Sequence, residues 1–126
     1  MKVHILKQGD FLIASIQGAL TDSDLTNLQE NLVLAVRKNR SKGVVIDVTV
    51  LDVMDSFAAR IMRSISLMTR LMGANLVIVG IQPEVAFAMV QLGLKLEGTM
   101  TGLDLDSGIA MLRAADQKQE RGHNGR

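Results

Sequence analysis

Cysteine, tryptophan and tyrosine are absent from this chain, and phenylalanine occurs three times. Without cysteine there are no disulfides, no thiolate metal sites and no thiol nucleophile, a composition that suits a reducing compartment. Aromatic residues make up 2% of the chain, so bases and sugars have almost no rings to stack on, which argues against single-strand nucleic-acid binding. Fourteen basic side chains against thirteen acidic ones give a net charge of +1. No global field therefore draws the chain to DNA, RNA or a membrane surface. No apolar run approaches the ~18 residues that a membrane span requires. The start, Met1-Lys2-Val3-His4, has no secretory-leader pattern, and the expected location is the cytoplasm. Neither GxGxxG nor a Walker-type phosphate loop occurs. His4 and His123 are far apart, and neither has a partner at ligand spacing, so no metal and no cofactor are expected.

What the chain does have is an aliphatic interior. Hydrophobic residues make up 48% of 126, eight of them Met, enough for one folded domain. Val3–Leu6 and Phe11–Ile16 are short and β-prone, and Gln8-Gly9-Asp10 between them predicts a hairpin. Thr21-Asp22-Ser23-Asp24 offers capping oxygens and first-turn carboxylates. Leu25, Leu28, Leu32, Ala35 and Val36 follow at helical spacing, and Arg37, Lys38 and Arg40 suit the negative end of that helix. Val44–Val48 is apolar on both faces except at Asp47, as a covered central strand would be. A helix over 56–72 ends at Gly73, and a second buried strand spans Leu76–Ile81. Pro83 fits a first helical position, and that helix runs to Leu92 with Gly93 behind it. A short strand near Gly98–Met100 and a helix over Asp104–Ala115 complete the order. The pattern predicts an α/β fold: a mixed β-sheet, N-terminal hairpin then parallel strands, packed with about four helices. Residues 1–116 form the domain, and 117–126 are expected to be a mobile polar tail.

The junction Asp55-Ser56-Phe57 holds the most distinctive chemistry. Ser56 stands where an apolar strand gives way to a helix. One reading makes it an N-cap and nothing more. A second takes account of the helix face. At about 100° per residue, Ser56, Arg60, Arg63, Leu67 and Arg70 share a sector of about 80°. Phe57, Ala58, Ile61, Ile65, Met68 and Met72 lie opposite and are expected to pack on the sheet. A hydroxyl among three arginines and an exposed leucine reads as a docking surface. No base stands near to activate it, so it reads as a kinase target rather than a nucleophile. Phosphate would add about −1.5 to −2 charges, which a helix N-terminus tolerates. Arg60 would help, and Asp47, Asp52 and Asp55 would oppose. The carboxylates themselves suggest turns and caps more than a metal or phosphoacceptor cluster: the first strand has no acidic pair, and Ile81-Gln82-Pro83 stands where such a receiver needs a lysine. Met68 and Met72 are expected in the core; Met89 fits either core or surface.

The run Val44-Ile46-Asp47 … Asp52-Val53-Met54-Asp55-Ser56-Phe57-Ala58-Ala59 resembles the STAS domain of anti-sigma-factor antagonists. Leu71-Met72-Gly73-Ala74-Asn75 … Val79-Gly80-Ile81-Gln82-Pro83-Glu84-Val85-Ala86 narrows the resemblance to small single-domain stressosome components of the RsbS type. It extends from about Val3 to Ala114. The resemblance implies a non-catalytic scaffold that joins RsbR-type STAS proteins in a large complex, with homo-oligomers expected. Such a complex holds an RsbT-type serine kinase until the kinase phosphorylates the STAS serine, and a phosphatase resets the system. Ser56 matches that serine by position. Asp55 and Phe57 frame it, and Arg60, Arg63 and Leu67 are the expected partner contacts. Thr49 precedes the junction, and nothing in the sequence makes it a second phosphosite. Two alternatives stand beside this reading. One is an antagonist bound to an anti-sigma kinase as a simple heterodimer. The other is a small ligand-binding module with a pocket by Gln82-Pro83 and Asp55.

Overall fold

Gly9 takes a φ of +60° and Asp10 keeps a negative one. That pattern, with glycine first, closes a two-residue II′ turn, the kind whose twist matches paired strands. It joins β1 (Val3–Gln8) to β2 (Phe11–Ile16) as an antiparallel hairpin with Gln8 opposite Phe11. The computed structural model describes residues 2–94, 96 and 98–124, and for 120–124 the backbone alone. After the hairpin come α1 (Asp22–Asn39), β3 (Gly43–Asp47), α2 (Ser56–Leu71), β4 (Asn75–Val79), α3 (Pro83–Gln91), β5 (Met100–Gly102) and α4 (Leu105–Asn124). The sheet order is β1-β2-β3-β4-β5, and every pair after the hairpin is parallel. The expected mixed sheet with four helices is therefore the observed one. The last strand lies two residues later than its expected start.

Alternation along the central strands divides the interior into two layers. Leu12, Ala14, Val44, Ile46, Leu76 and Ile78 face α1, α2 and α3. Phe11, Ile13, Val45, Val77 and Val79 face Ile109 and Leu112 of α4. Both sides of β3 are thus covered, which explains its apolar run. Met89 of α3 is buried and belongs to the first layer.

Thr21 caps α1, accepting from the Asp24 backbone N–H while the Asp24 carboxylate accepts from the Thr21 N–H, a reciprocal capping box. α4 continues to Asn124, well past Ala115, so the expected domain boundary at 116 falls inside this helix. Residues 125 and 126 of the expected tail lie outside the described residues.

The inner face of α2 is only partly the expected one, with Ala58 and Ile65 common to both. It buries Ala58, Ala59, Met62, Ile65, Ser66 and Thr69. Phe57, Ile61 and Met68 are half-buried, and Met72 lies beyond the last turn, exposed. Two features rotate the helix this way. Its small residues let α1 pack alongside, and its buried hydroxyls are satisfied. Thr69 Oγ1 donates to the Ile65 carbonyl at 2.8 Å, and the Ser66 hydroxyl bonds that of Thr99. A hydroxyl bonded inside costs far less than an orphaned one.

Candidate functional site

Parallel strands bring their C-terminal ends to one edge of the sheet. The loop leaving β3 (residues 48–55) therefore lies beside the loop leaving β4 (residues 80–82). Val48 N–H still donates to the Val79 carbonyl at 3.0 Å, carrying the pairing one step past β3. Asp47 Oδ1 then accepts from both the backbone N–H of Thr49, at 3.0 Å, and its hydroxyl, at 2.6 Å. This aspartate-led turn redirects the chain. Gln82 Nε2 donates to the Thr49 carbonyl at 2.5 Å across the two loops. Gly80, at φ +77°, lies so close that a Cβ there would collide with the Thr49 side chain and Cα. Only glycine meets both the dihedral and the space. Farther on, Leu51 and Met54 are buried and hold the loop down.

Asp55 is the N-cap of α2, its Oδ1 accepting from the Ala58 N–H at 2.8 Å. Ser56 is consequently the first helical residue and not the cap. It is exposed, and no hydrogen bond among the described residues uses its hydroxyl. Phe57 is half-buried against the larger core layer. The Arg60 guanidinium lies 5.9 Å from the Phe57 ring centroid, within range of a cation–π contact. Arg60, Arg63, Leu67 and Arg70 are all exposed, and Leu67 is 47% exposed. The stripe drawn from helical spacing is thus a solvent-facing surface headed by a free hydroxyl. Arg70 has partners of its own, and its guanidinium packs where a Gly98 side chain would lie.

The nearby carboxylates have structural duties. Asp47 orients Thr49 and Asp55 caps α2, while Asp52 is exposed. No group of three or more His, Cys, Asp or Glu among the described residues could hold a metal ion. His4 is exposed on β1, and His123 has no described side chain. Thr49 is exposed, but its hydroxyl is committed to Asp47. A cavity of about 250 Å³ lies on the α1 side of the junction, floored by Leu20, Leu25, Leu51 and Ala58 beside Asp55. Gln82 and Pro83 do not line it, and no base stands beside a nucleophile in it.

The sequence suggested Gln82 only as part of an alternative ligand pocket, and it suggested no role for Gly80. Both fall in the Gly80-Ile81-Gln82-Pro83 motif, but their part in holding Thr49 shows only once β4 is placed beside β3.

Residues 2–103 match the STAS domain family model. The chain is 34% identical over 107 residues to a protein of Bacillus subtilis (strain 168) named RsbT co-antagonist protein RsbRA; the match covers 84% of this chain and 39% of that one. The chain thus spans well under half the length of this relative. A structure of an RsbS variant from Moorella thermoacetica superimposes with a TM-score of 0.83 at 32% identity, covering 93% of this chain and 99% of that one. A chain from a structure described as the molecular architecture of the stressosome, a signal integration and transduction hub, gives 0.75 at 31%, covering 90% and 98%. No helix among the described residues is long and apolar enough to cross a membrane. With its β-β-α-β-α-β-α-β-α order, its capped serine junction and these matches, the chain belongs to the STAS-domain family and is an RsbS-type member of it.

Proposed function

We propose that this chain is a non-catalytic stress-signalling scaffold and antagonist in the cytoplasm. It holds an RsbT-type serine kinase within a stressosome-like assembly of RsbR-type STAS proteins. It releases that kinase when Ser56 is phosphorylated, and a phosphatase restores it. The observation that carries this reading is the Ser56 hydroxyl: exposed, unbonded and presented at the first residue of α2 by a loop pinned at Thr49, Leu51 and Met54. Support for the assembly comes from the likeness to RsbS and to the stressosome chain, and for the kinase from a relative named as an RsbT co-antagonist.

The chemistry agrees with the role. A kinase needs an accessible alcohol on a defined backbone and supplies its own base. Free N–H groups at a helix start favour the phosphate that results. Asp55 and Asp52 remain nearby, so the modified surface turns acidic where Arg60 and Arg63 had made it basic. A partner whose charges matched the unmodified stripe then meets repulsion. Arg60, Arg63 and Leu67 make the contacts that are lost.

The test is intact mass after incubation with an RsbT-type kinase, ATP and magnesium. One added phosphate mapped to Ser56 is expected, with none on Ser56→Ala. Phosphate found only at Thr49 or elsewhere would contradict the assignment.

A further inference from the structure

β1 is an open edge of the sheet, six residues long, whereas the opposite edge, β5, has three. The Gln17 N–H donates to the Lys2 carbonyl at 2.6 Å, so Lys2 and Gln17 form a hydrogen-bonded pair of the hairpin. Antiparallel pairs alternate between bonded and non-bonded. His4, Leu6 and Gln8 therefore turn their backbone groups toward β2, and Val3, Ile5 and Lys7 turn theirs outward. No hydrogen bond among the described residues uses those outward groups. They are spaced symmetrically about Ile5.

We propose that β1 is a self-association seam, where β1 of a second copy pairs antiparallel about Ile5 and joins two five-stranded sheets into one. Ile5 pairs with Ile5 of the second copy, and Val3 with Lys7 in both directions. Each pair exchanges two N–H···O=C bonds and uses every free group of the edge. The side chains agree with this register. Val3 and Ile5 are half-buried over the larger core layer, and a groove of about 770 Å³ runs beside them along α1, with Leu28 in its wall and Asp24 at its rim. Ile5 of each copy completes that floor. On the other face Leu6, now 60% exposed, is covered by His4 of the second copy. Lysines on an edge usually keep strands apart, yet here none faces another. Lys7 lies opposite Val3, beside Asp24, which Lys2 already approaches at 3.2 Å. The Lys7 ammonium has no partner among the described residues, and this pairing gives it a carboxylate. The seam gives the assembly part of the proposed function a surface. It involves neither Ser56 nor the kinase, so its failure would leave the phosphate mapping untouched.

The chain has no cysteine, so one introduced thiol reports the register. Paired residues of this kind have Cα atoms about 5.5 Å apart, within disulfide reach. Ile5→Cys is expected to oxidise to a covalent dimer in high yield, and Lys7→Cys, which faces Val3, at least tenfold less. Sedimentation of the unmodified full chain is expected to show concentration-dependent dimers or their multiples. Lys7→Pro removes an outward N–H that β2 does not use, and is expected to sediment as a monomer with an unchanged circular dichroism spectrum. A wild-type monomer at all concentrations, a Lys7→Pro variant that associates like wild type, or equal cross-linking of the two cysteine variants would overturn the seam. If Lys7→Pro fails to fold, the cysteine pair decides.

Discussion

Ser56 and Asp55 are both good caps, and adjacency is what the sequence could not resolve. Which of them turns its oxygen to the helix depends on a one-residue register that propensity alone does not set. The structure gives the cap to Asp55 and makes Ser56 the first helical residue, exposed. Asp55→Ala is therefore expected to cost about 1 kcal/mol in denaturant unfolding, whereas Ser56→Ala stays within about 0.5 kcal/mol. If Ser56→Ala proved the costlier, the cap assignment would be wrong. Asp24 provides a residue-scale test by pH. The Thr21 backbone N–H, helped by Lys2, holds its carboxyl below the usual carboxylate range. A group whose folded value is lowered stabilises the fold above its unfolded value of 3.8, and that contribution is lost as pH falls through the folded value. The stability gap between wild type and Asp24→Asn is thus expected at neutral pH and should close under strong acid. A gap unchanged in acid would contradict the capping box.

At the scale of elements, the legible features were those with local causes. The hairpin at Gly9, the Thr21 start of α1 and Pro83 at the head of α3 all follow from a turn glycine, a capping oxygen and a fixed φ. The face of α2 was legible on its outer side and, on its inner side, only at Ala58 and Ile65. Arginines mark solvent without ambiguity, but the inner side could be filled by long apolar residues or by small and hydroxylated ones. Contact with α1 and the bond between Ser66 and Thr99 selected the second. Met62→Ala is accordingly expected to cost about 2–5 kcal/mol, from lost burial plus a cavity. Met72→Ala, past the helix end and exposed, should fall within about 0.5 kcal/mol. Equal losses at the two positions would restore the face that spacing alone suggested. The end of α4 was not legible for a related reason. Polar residues after Ala115 read as a tail, yet a polar run continues a helix once an apolar first half is docked on β3 and β4.

For the molecule as a whole, parallel pairing explains why the candidate site lies where it does. Loops after β3 and β4 meet only because these strands are neighbours running the same way, and Gln82 reaches Thr49 only as a result. Strand alternation in the sequence implied the sheet class but not this meeting. The outcome is a platform in which buried aliphatic layers fix the junction beneath an exposed surface. Under the proposed function, phosphate at Ser56 alters the charge of that surface and leaves the layers alone. The most direct test measures kinase affinity for the unmodified chain and for Ser56→Asp, with circular dichroism of both. The account predicts at least tenfold weaker binding with identical spectra, because an acid at the first turn of α2 suits the helix while opposing the partner. Equal affinity, or a loss of binding that tracks a loss of helix signal, would contradict it.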